Sequence, residues 1–395
     1  MTGYCTEQLL VRVIGKSLTI KEYAAIVMIL LASGTAYFYM FHAGITLILL
    51  LFMAVVVAVY DRTRLCINSF GLVYGILILV NAVLYGFSRS LLGDLLLFVS
   101  TGLITSSFSY DAFRRGFLNV VVTLSIISII IYVLFLLEMV NPVLQGIGKN
   151  GLEGYYIYAF HVFGGGHYIG LHNKLCGMFW EPGVYQMVLN TCIIMNIDLL
   201  DNKTQIRKKN IKLSILILTV ILIQSTTGYL TLGLILVGYY LKKSKNSITF
   251  KVVTIFVSVL FAIVIVVSPV ITDKFSLENH SFLVRANDFI GLSYSIFEKP
   301  LFGLGVGSTT FEQISNKYGM TSALSAGILL MTAQFGLLWI MAFYSSLIKE
   351  YKKRGIQLPK FVYMLAITFL GIGEPLAFSP LFLINVLPFK KYDHK

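Results

Sequence analysis

The chain of 395 residues is 57% hydrophobic and only 12% charged, with a mean hydropathy of +0.82. An ordinary soluble domain carries about 25% charged residues, so half of the usual solubilising surface is missing; a soluble globular protein, a disordered chain and a disulfide-rich secreted module are excluded. The net charge of +13 would suit nucleic acid if the basic residues formed a patch, but they fall in short clusters between long apolar runs, as in a polytopic membrane protein. Cys5, Cys66, Cys176 and Cys192 lie far apart without CxxC spacing, so neither a disulfide framework nor a zinc site is indicated.

A helix needs roughly 20 mainly apolar residues to cross the hydrocarbon core. In chain order, spans are expected near 23–41, 43–60, 68–87, 90–109, 117–139, 183–200, 212–225, 227–241, 251–271 and 326–348, with two shorter ones near 361–373 and 376–389. Met1–Glu22 carries Arg12, Lys16 and Lys21 without an apolar core and small-residue cleavage site, and so is expected to be a cytoplasmic leader. Basic residues set the orientation. With the N-terminus inside, 24 of the 31 Lys and Arg fall on the cytoplasmic side, and only Arg89, Lys149, Lys174, Lys274, Arg285, Lys299 and Lys317 lie outside. One crossing over 361–389 would leave Lys390 and Lys391 outside, so two short spans are preferred. The expectation is therefore an all-α, single transmembrane domain over 1–395 with about twelve helices, eleven being the alternative, and both termini inside.

Only two loops are long, 141–182 and 272–325, and both fall on the outer face; loops beyond roughly 12–15 residues usually carry function. The first holds Tyr155, Tyr156, Tyr158, Phe160, Phe163 and Tyr168 beside His161, His167 and His172. Rings next to polar groups suit a sugar, whose C–H faces stack on them, and equally suit an interfacial aromatic belt. The histidine spacings of 6 and 5 fit no metal-ligand pattern, so no metal is expected. The loop closes with Trp180-Glu181-Pro182-Gly183, a turn that fixes a carboxylate at the top of a helix, where it could serve chemistry or only the helix dipole.

The second loop contains His280 and, in an apolar amphipathic context, Arg285, whose guanidinium fork matches phosphate oxygens; an Arg285–Asp288 surface pair is the plainer alternative. Gly303, Gly305 and Gly307 follow as an alternating glycine turn, without the GxxxxGK[ST] of a nucleotide site. Arg89 opens the fourth span at the outer face, as a functional charge or a snorkelling end-residue, and Glu374 beside Pro375 is a further outer acid.

In this order and on this one face, Cys176-Gly-Met-Phe-Trp-Glu-Pro-Gly-Val-Tyr185, Ser225-Thr-Thr-Gly-Tyr229, Arg285 with Pro300-Leu-Phe-Gly-Leu-Gly-Val-Gly307, and Glu374-Pro-Leu-Ala-Phe-Ser-Pro-Leu-Phe382 resemble motifs of the bacterial O-antigen polymerase and ligase superfamily, and within it the Wzy-type polymerases. The resemblance covers roughly 175–385. It implies an inner-membrane glycosyltransferase with a periplasmic active site, transferring a growing glycan from undecaprenyl pyrophosphate to a fresh lipid-linked repeat unit, with O-antigen, capsule or exopolysaccharide as product. No metal, nucleotide or other cofactor and no nucleic acid would be involved; a chain-length regulator would be a partner.

The implied roles place Arg285 on the departing pyrophosphate, assisted by Arg89 and Lys174, because fixed cations stabilise developing negative charge. Glu181 is the first choice of base, with His280 or His172 next. Trp180, Gly303, Gly305, Gly307 and Glu374 would bind substrate. The ligase branch carries a His-Asn pair where this chain has Ser325-Ala326, which favours a polymerase. A lipid-linked oligosaccharide flippase or other transporter is the alternative of a different class; it would be expected to show internal repeats and mid-span charges.

Overall fold

The computed structural model describes residues 18–37, 43–147, 153–164, 172–201, 206–243, 280–320, 326–374 and 376–390. The expected span 251–271, His167, the basic residues Arg12 and Lys16, and Pro375 lie outside them.

The described chain is predominantly helical. The first helices are α1 (Ile20–Leu31), α2 (Ala43–Tyr60), α3 (Ser69–Tyr85), α4 (Arg89–Ser107) and α5 (Tyr110–Leu136). Then come α6 (Pro182–Asn196), α7 (Ile206–Ile223), α8 (Thr226–Lys243), α9 (His280–Glu298) and α10 (Thr309–Lys317). The last are α11 (Gly327–Phe335), α12 (Leu337–Arg354), α13 (Lys360–Gly373) and the one-turn α14 (Pro380–Leu383). Segments Ala43–Tyr60, Arg89–Ser107, Tyr110–Leu136 and Pro182–Leu200 are long and apolar enough to cross a membrane, and Ser69–Tyr85, Ile211–Ile223 and Lys360–Gly373 are shorter apolar helices. Helix α2 exposes Ile45, Ile48, Leu49, Phe52, Val55 and Val59, an outward apolar surface that lipid would cover. Its opposite stripe, Thr46, Leu50, Ala54 and Val57, is buried with the three- and four-residue spacing of one helix face. The protein is membrane-embedded in character.

Three expected spans depart from a continuous helix. The first ends at Leu31 and turns through Gly34, whose φ of +91° lies in the left-handed region that glycine tolerates. The stretch 326–348 divides into α11 and α12 at Gly336, φ +83°, whose N–H donates to the Thr332 carbonyl (2.8 Å) while the next N–H, of Leu337, donates to the Pro300 carbonyl (2.6 Å). The last stretch, 376–389, holds only α14 and turns, yet Leu376, Ala377, Leu381, Phe382, Leu383, Ile384, Val386, Leu387 and Phe389 are all buried. Irregular backbone survives among apolar helices only where protein satisfies its polar groups. Ser33 does this: its hydroxyl donates to the Ile29 carbonyl (2.6 Å) and accepts from the Leu381 N–H (2.9 Å).

An all-α fold is corrected in one place. The long loop before α6 folds into a four-stranded antiparallel sheet in the order β1 (Leu144–Ile147), β2 (Glu153–Ile157), β3 (Phe160–Gly164), β4 (Asn173–Gly177). Tyr156 pairs with His161 and Val162 with Leu175. Alternating aromatic and β-branched residues suit a pleated surface with one face against protein. Val162 and Leu175 supply that face and join the main core. The described part of the long loop 272–325 also has structure: its helices α9 and α10 close with α11 over a small separate core of Leu292, Leu304, Phe311, Met320, Ala326, Leu330 and Ala333.

Candidate functional site

The site starts from the Trp180–Gly183 turn. Pro182 occupies the first turn of α6, where its missing N–H is no loss, and Glu181 is the extended N-cap residue. Strand β4 delivers the turn from one side, and the interrupted first helix braces it from another: Phe179 bridges Thr35, the Trp180 N–H donates to the Gly34 carbonyl (3.3 Å), and the Ala36 N–H to the Met178 carbonyl (3.0 Å). A Cβ on Gly34 would lie 2.9 Å from Val184 Cγ1 and 3.0 Å from Leu376 Cδ1, so the break is packed into the site rather than looped out.

Glu374 arrives from the end of α13 and is buried. Its carbonyl accepts from the Gly327 N–H (3.1 Å), which ties it to the start of α11. Its carboxyl lies over the α-carbon of Gly183: a Cβ there would fall 1.5 Å from Glu374 Oε1. Gly183 is thus the notch that lets Glu374 reach the N-terminus of α6, two residues from Glu181, where partial positive charge favours an anion. The sequence showed Glu-Pro-Gly as a turn; the use of its glycine became visible only with Glu374 in place.

Charge completes the cluster. Burial pushes the Glu181 carboxyl above the usual carboxylate range, and the cations of Arg285 on α9 and Lys174 on β4 pull it back. Burial raises Glu374 well above that range, the negative charge of Glu181 adds to this, and Arg285 opposes it. The same surroundings raise the Cys176 thiol, by burial first and Glu181 second, with Lys174 opposing. Lys174 and Arg285 therefore act on Glu181, and Glu181 and Arg285 act on Glu374, which brings together three parts of the chain that lie far apart in sequence. Arg285 is exposed and Lys174 and Glu181 are half-buried, which leaves the cations facing outward over a buried acid.

The remaining predicted residues fall around this cluster or apart from it. Trp180 is half-buried and within 3.5 Å of the place a Gly34 Cβ would take; His172 is exposed just before β4. His280 is the first residue of α9. Gly303, Gly305 and Gly307 all have φ between +65° and +89°. Their turn is docked rather than open: the Gly305 N–H donates to the Gln334 carbonyl (3.1 Å), Tyr85 OH donates to the Gly303 carbonyl (2.6 Å), and the Val306 N–H donates to Asn81 Oδ1 (2.9 Å). Arg89 is exposed beside Ser88, whose hydroxyl donates to the Val306 carbonyl (3.0 Å), so Arg89 borders the glycine turn.

In β3, His161 stacks on Tyr156 with ring centroids 4.3 Å apart, and burial lowers its pKa to about 4. It is a neutral packing group at neutral pH. No group of His, Cys, Asp and Glu able to hold a metal ion occurs among the described residues.

Protein-family models and curated proteins were compared with the chain, and nothing matches in either case.

Proposed function

We propose that the protein is a membrane glycosyltransferase of the O-antigen polymerase type. On this reading it joins undecaprenyl-pyrophosphate-linked repeat units into O-antigen, capsular or exopolysaccharide at the periplasmic face of the bacterial inner membrane. The observation that carries the reading is the meeting of Arg285 and Lys174 with the acid pair Glu181 and Glu374 above apolar helices. Displacing pyrophosphate from an anomeric carbon builds negative charge on the leaving group, which the two cations would stabilise. The acceptor hydroxyl would pass its proton to the Glu181 carboxylate as the new glycosidic bond forms and the bond to pyrophosphate breaks. On this reading, twelve spans with both termini in the cytoplasm would put this cluster outside.

The test is the surface glycan of a deletion strain, compared by gel with strains restored by the wild-type protein or by Arg285→Ala at equal protein level. A single repeat unit without a ladder in the deletion, and no ladder with Arg285→Ala, is the expected result. Full-length glycan stranded on its lipid carrier would mean a ligase. The interrupted helices at Gly34 and Gly336 favour one second reading, a flippase, because broken helices often line transport sites. Repeat units trapped on the cytoplasmic leaflet would establish that reading and remove the catalytic roles.

A further inference from the structure

Beneath Glu374, the face of α6 that carries Gly183 continues as Gln186 and then Asn190, at three and seven residues along the helix and so on one side. Both are fully buried. Helix α8 lies against them: a Cβ on Gly228 would meet Gln186 Cβ at 3.0 Å, and Asn190 Nδ2 donates to the Gly228 carbonyl (3.3 Å) and to Gln186 Oε1 (3.0 Å). Thr231, one turn further along α8 from Gly228, is also fully buried. Next to Glu374, a Cβ on Gly373 would lie 2.9 Å from Thr227 Cγ2, so the start of α8 closes the same seam near the acid.

Along this seam Gln186 Nε2, Asn190 Oδ1 and Thr231 Oγ1 have no hydrogen-bond partner among the described residues. They are a donor, an acceptor and a hydroxyl that can be either. Native interiors pair such groups with protein or with ordered water, and a water needs two to four polar partners. A cation would leave the Gln186 donor unmet and a carboxylate would repel the Asn190 oxygen; water satisfies all three.

We propose that Gln186, Asn190 and Thr231 bind ordered water in a seam between α6 and α8, and that this water carries protons to and from Glu374. Neither the hydration nor the proton exchange at Glu374 depends on the polymerase reading. The charged groups that face the acid pair are Lys174 from β4 and Arg285 from α9, and both stay in place in the variants that follow.

Proton exchange is read by infrared spectroscopy on the purified full chain in lipid nanodiscs, without glycan, after transfer from H2O to D2O. The protonated carboxyl band removed by Glu374→Gln identifies the group. In the wild type this band is expected to shift promptly, and in Gln186→Leu/Asn190→Leu about tenfold or more slowly, the scale of one lost hydrogen-bonded link. Thr231→Val, nearly isosteric and therefore safe for folding, should slow it in the same direction. Unchanged exchange in either variant with normal melting, or a spectrum in which Glu374→Gln removes no band, overturns the proposal. Because no substrate is present, a failure here is separate from a failure of the glycan ladder test.

Discussion

At the scale of single residues, the proposed chemistry would rest on one balance, burial against cations at Glu181. The carboxyl must be ionised to accept a proton, and burial raises its pKa while Arg285 and Lys174 lower it. Activity should therefore fall as pH drops through this raised pKa, at a higher pH than for an ordinary carboxylate. Removing Lys174 takes away part of the opposing influence, so Lys174→Met should move the acid limb upward by about one unit, while Glu181→Gln should abolish turnover. The pH profile of polymerisation in isolated membranes measures both; an unmoved limb in Lys174→Met would place the base elsewhere. Glu181 and Arg285 could be named from sequence because their residue types and neighbours already suggest the chemistry. The notch at Gly183 could not, since a glycine beside a proline reads as a turn whatever later packs on it.

At the scale of elements, broken helices do what continuous ones cannot. Gly336 separates α11 from α12, and a Cβ there would sit 2.1 Å from the Leu301 carbonyl oxygen, a backbone atom that cannot swing away. With a left-handed φ added, Gly336→Ala should cost about 3 kcal/mol or more and lower the melting temperature sharply, whereas Gly355→Ala, whose Cβ meets nothing within 4 Å, should cost about 1 kcal/mol. Hydropathy cannot see such breaks, because a window averages over one glycine. The sheet was hidden for a related reason: strands of four or five residues with interspersed glycine resemble a loop in composition.

That sheet also carries a pH signature. His161 folds with its pKa depressed to about 4 by burial, while an unfolded histidine titrates near 6.5. Between these values the unfolded chain binds the extra proton, so stability is complete above about 6.5 and declines as pH falls toward 4. His161→Phe keeps the stack on Tyr156 and should flatten that decline in melting experiments; an unchanged slope would show that the histidine is not the titrating group.

At the scale of the whole molecule, the last sixteen described residues, from Glu374 to Lys390, tie the two ends of the bundle together. Glu374 lies at the start of α6, whereas twelve residues on, the Val386 carbonyl accepts from Asn68 Nδ2 (2.6 Å) and the Leu387 carbonyl from Arg354 (2.7 Å), and the Lys390 N–H donates to the Phe108 carbonyl (2.9 Å). The side chain of Arg354 is buried between the rings of Tyr110 and Phe389, 5.3 and 5.0 Å from their centroids, with its Nε 3.6 Å from Oε2 of the buried Glu350. Lys390→Cys and Arg64→Cys should therefore be labelled by an impermeant thiol reagent from one side of the membrane, and Arg89→Cys from the other. Labelling of positions 390 and 89 from the same side would overturn the twelve-span arrangement proposed above.

The sequence alone determined the solvent in which this protein folds and the rough position of most helices. Apolar length and basic clusters are local quantities, and the cost of exposing backbone in hydrocarbon leaves few alternatives to helices. It also supplied the residue types from which a site could be built. Only the tertiary structure decided which of them meet: Glu374 enters the cluster because Gly183 has no side chain, while the glycine turn is held through Gly303, Gly305 and Val306 by α3 and α11. Such proximity is a property of packing, in which a group's charge state and reach depend on neighbours hundreds of positions away.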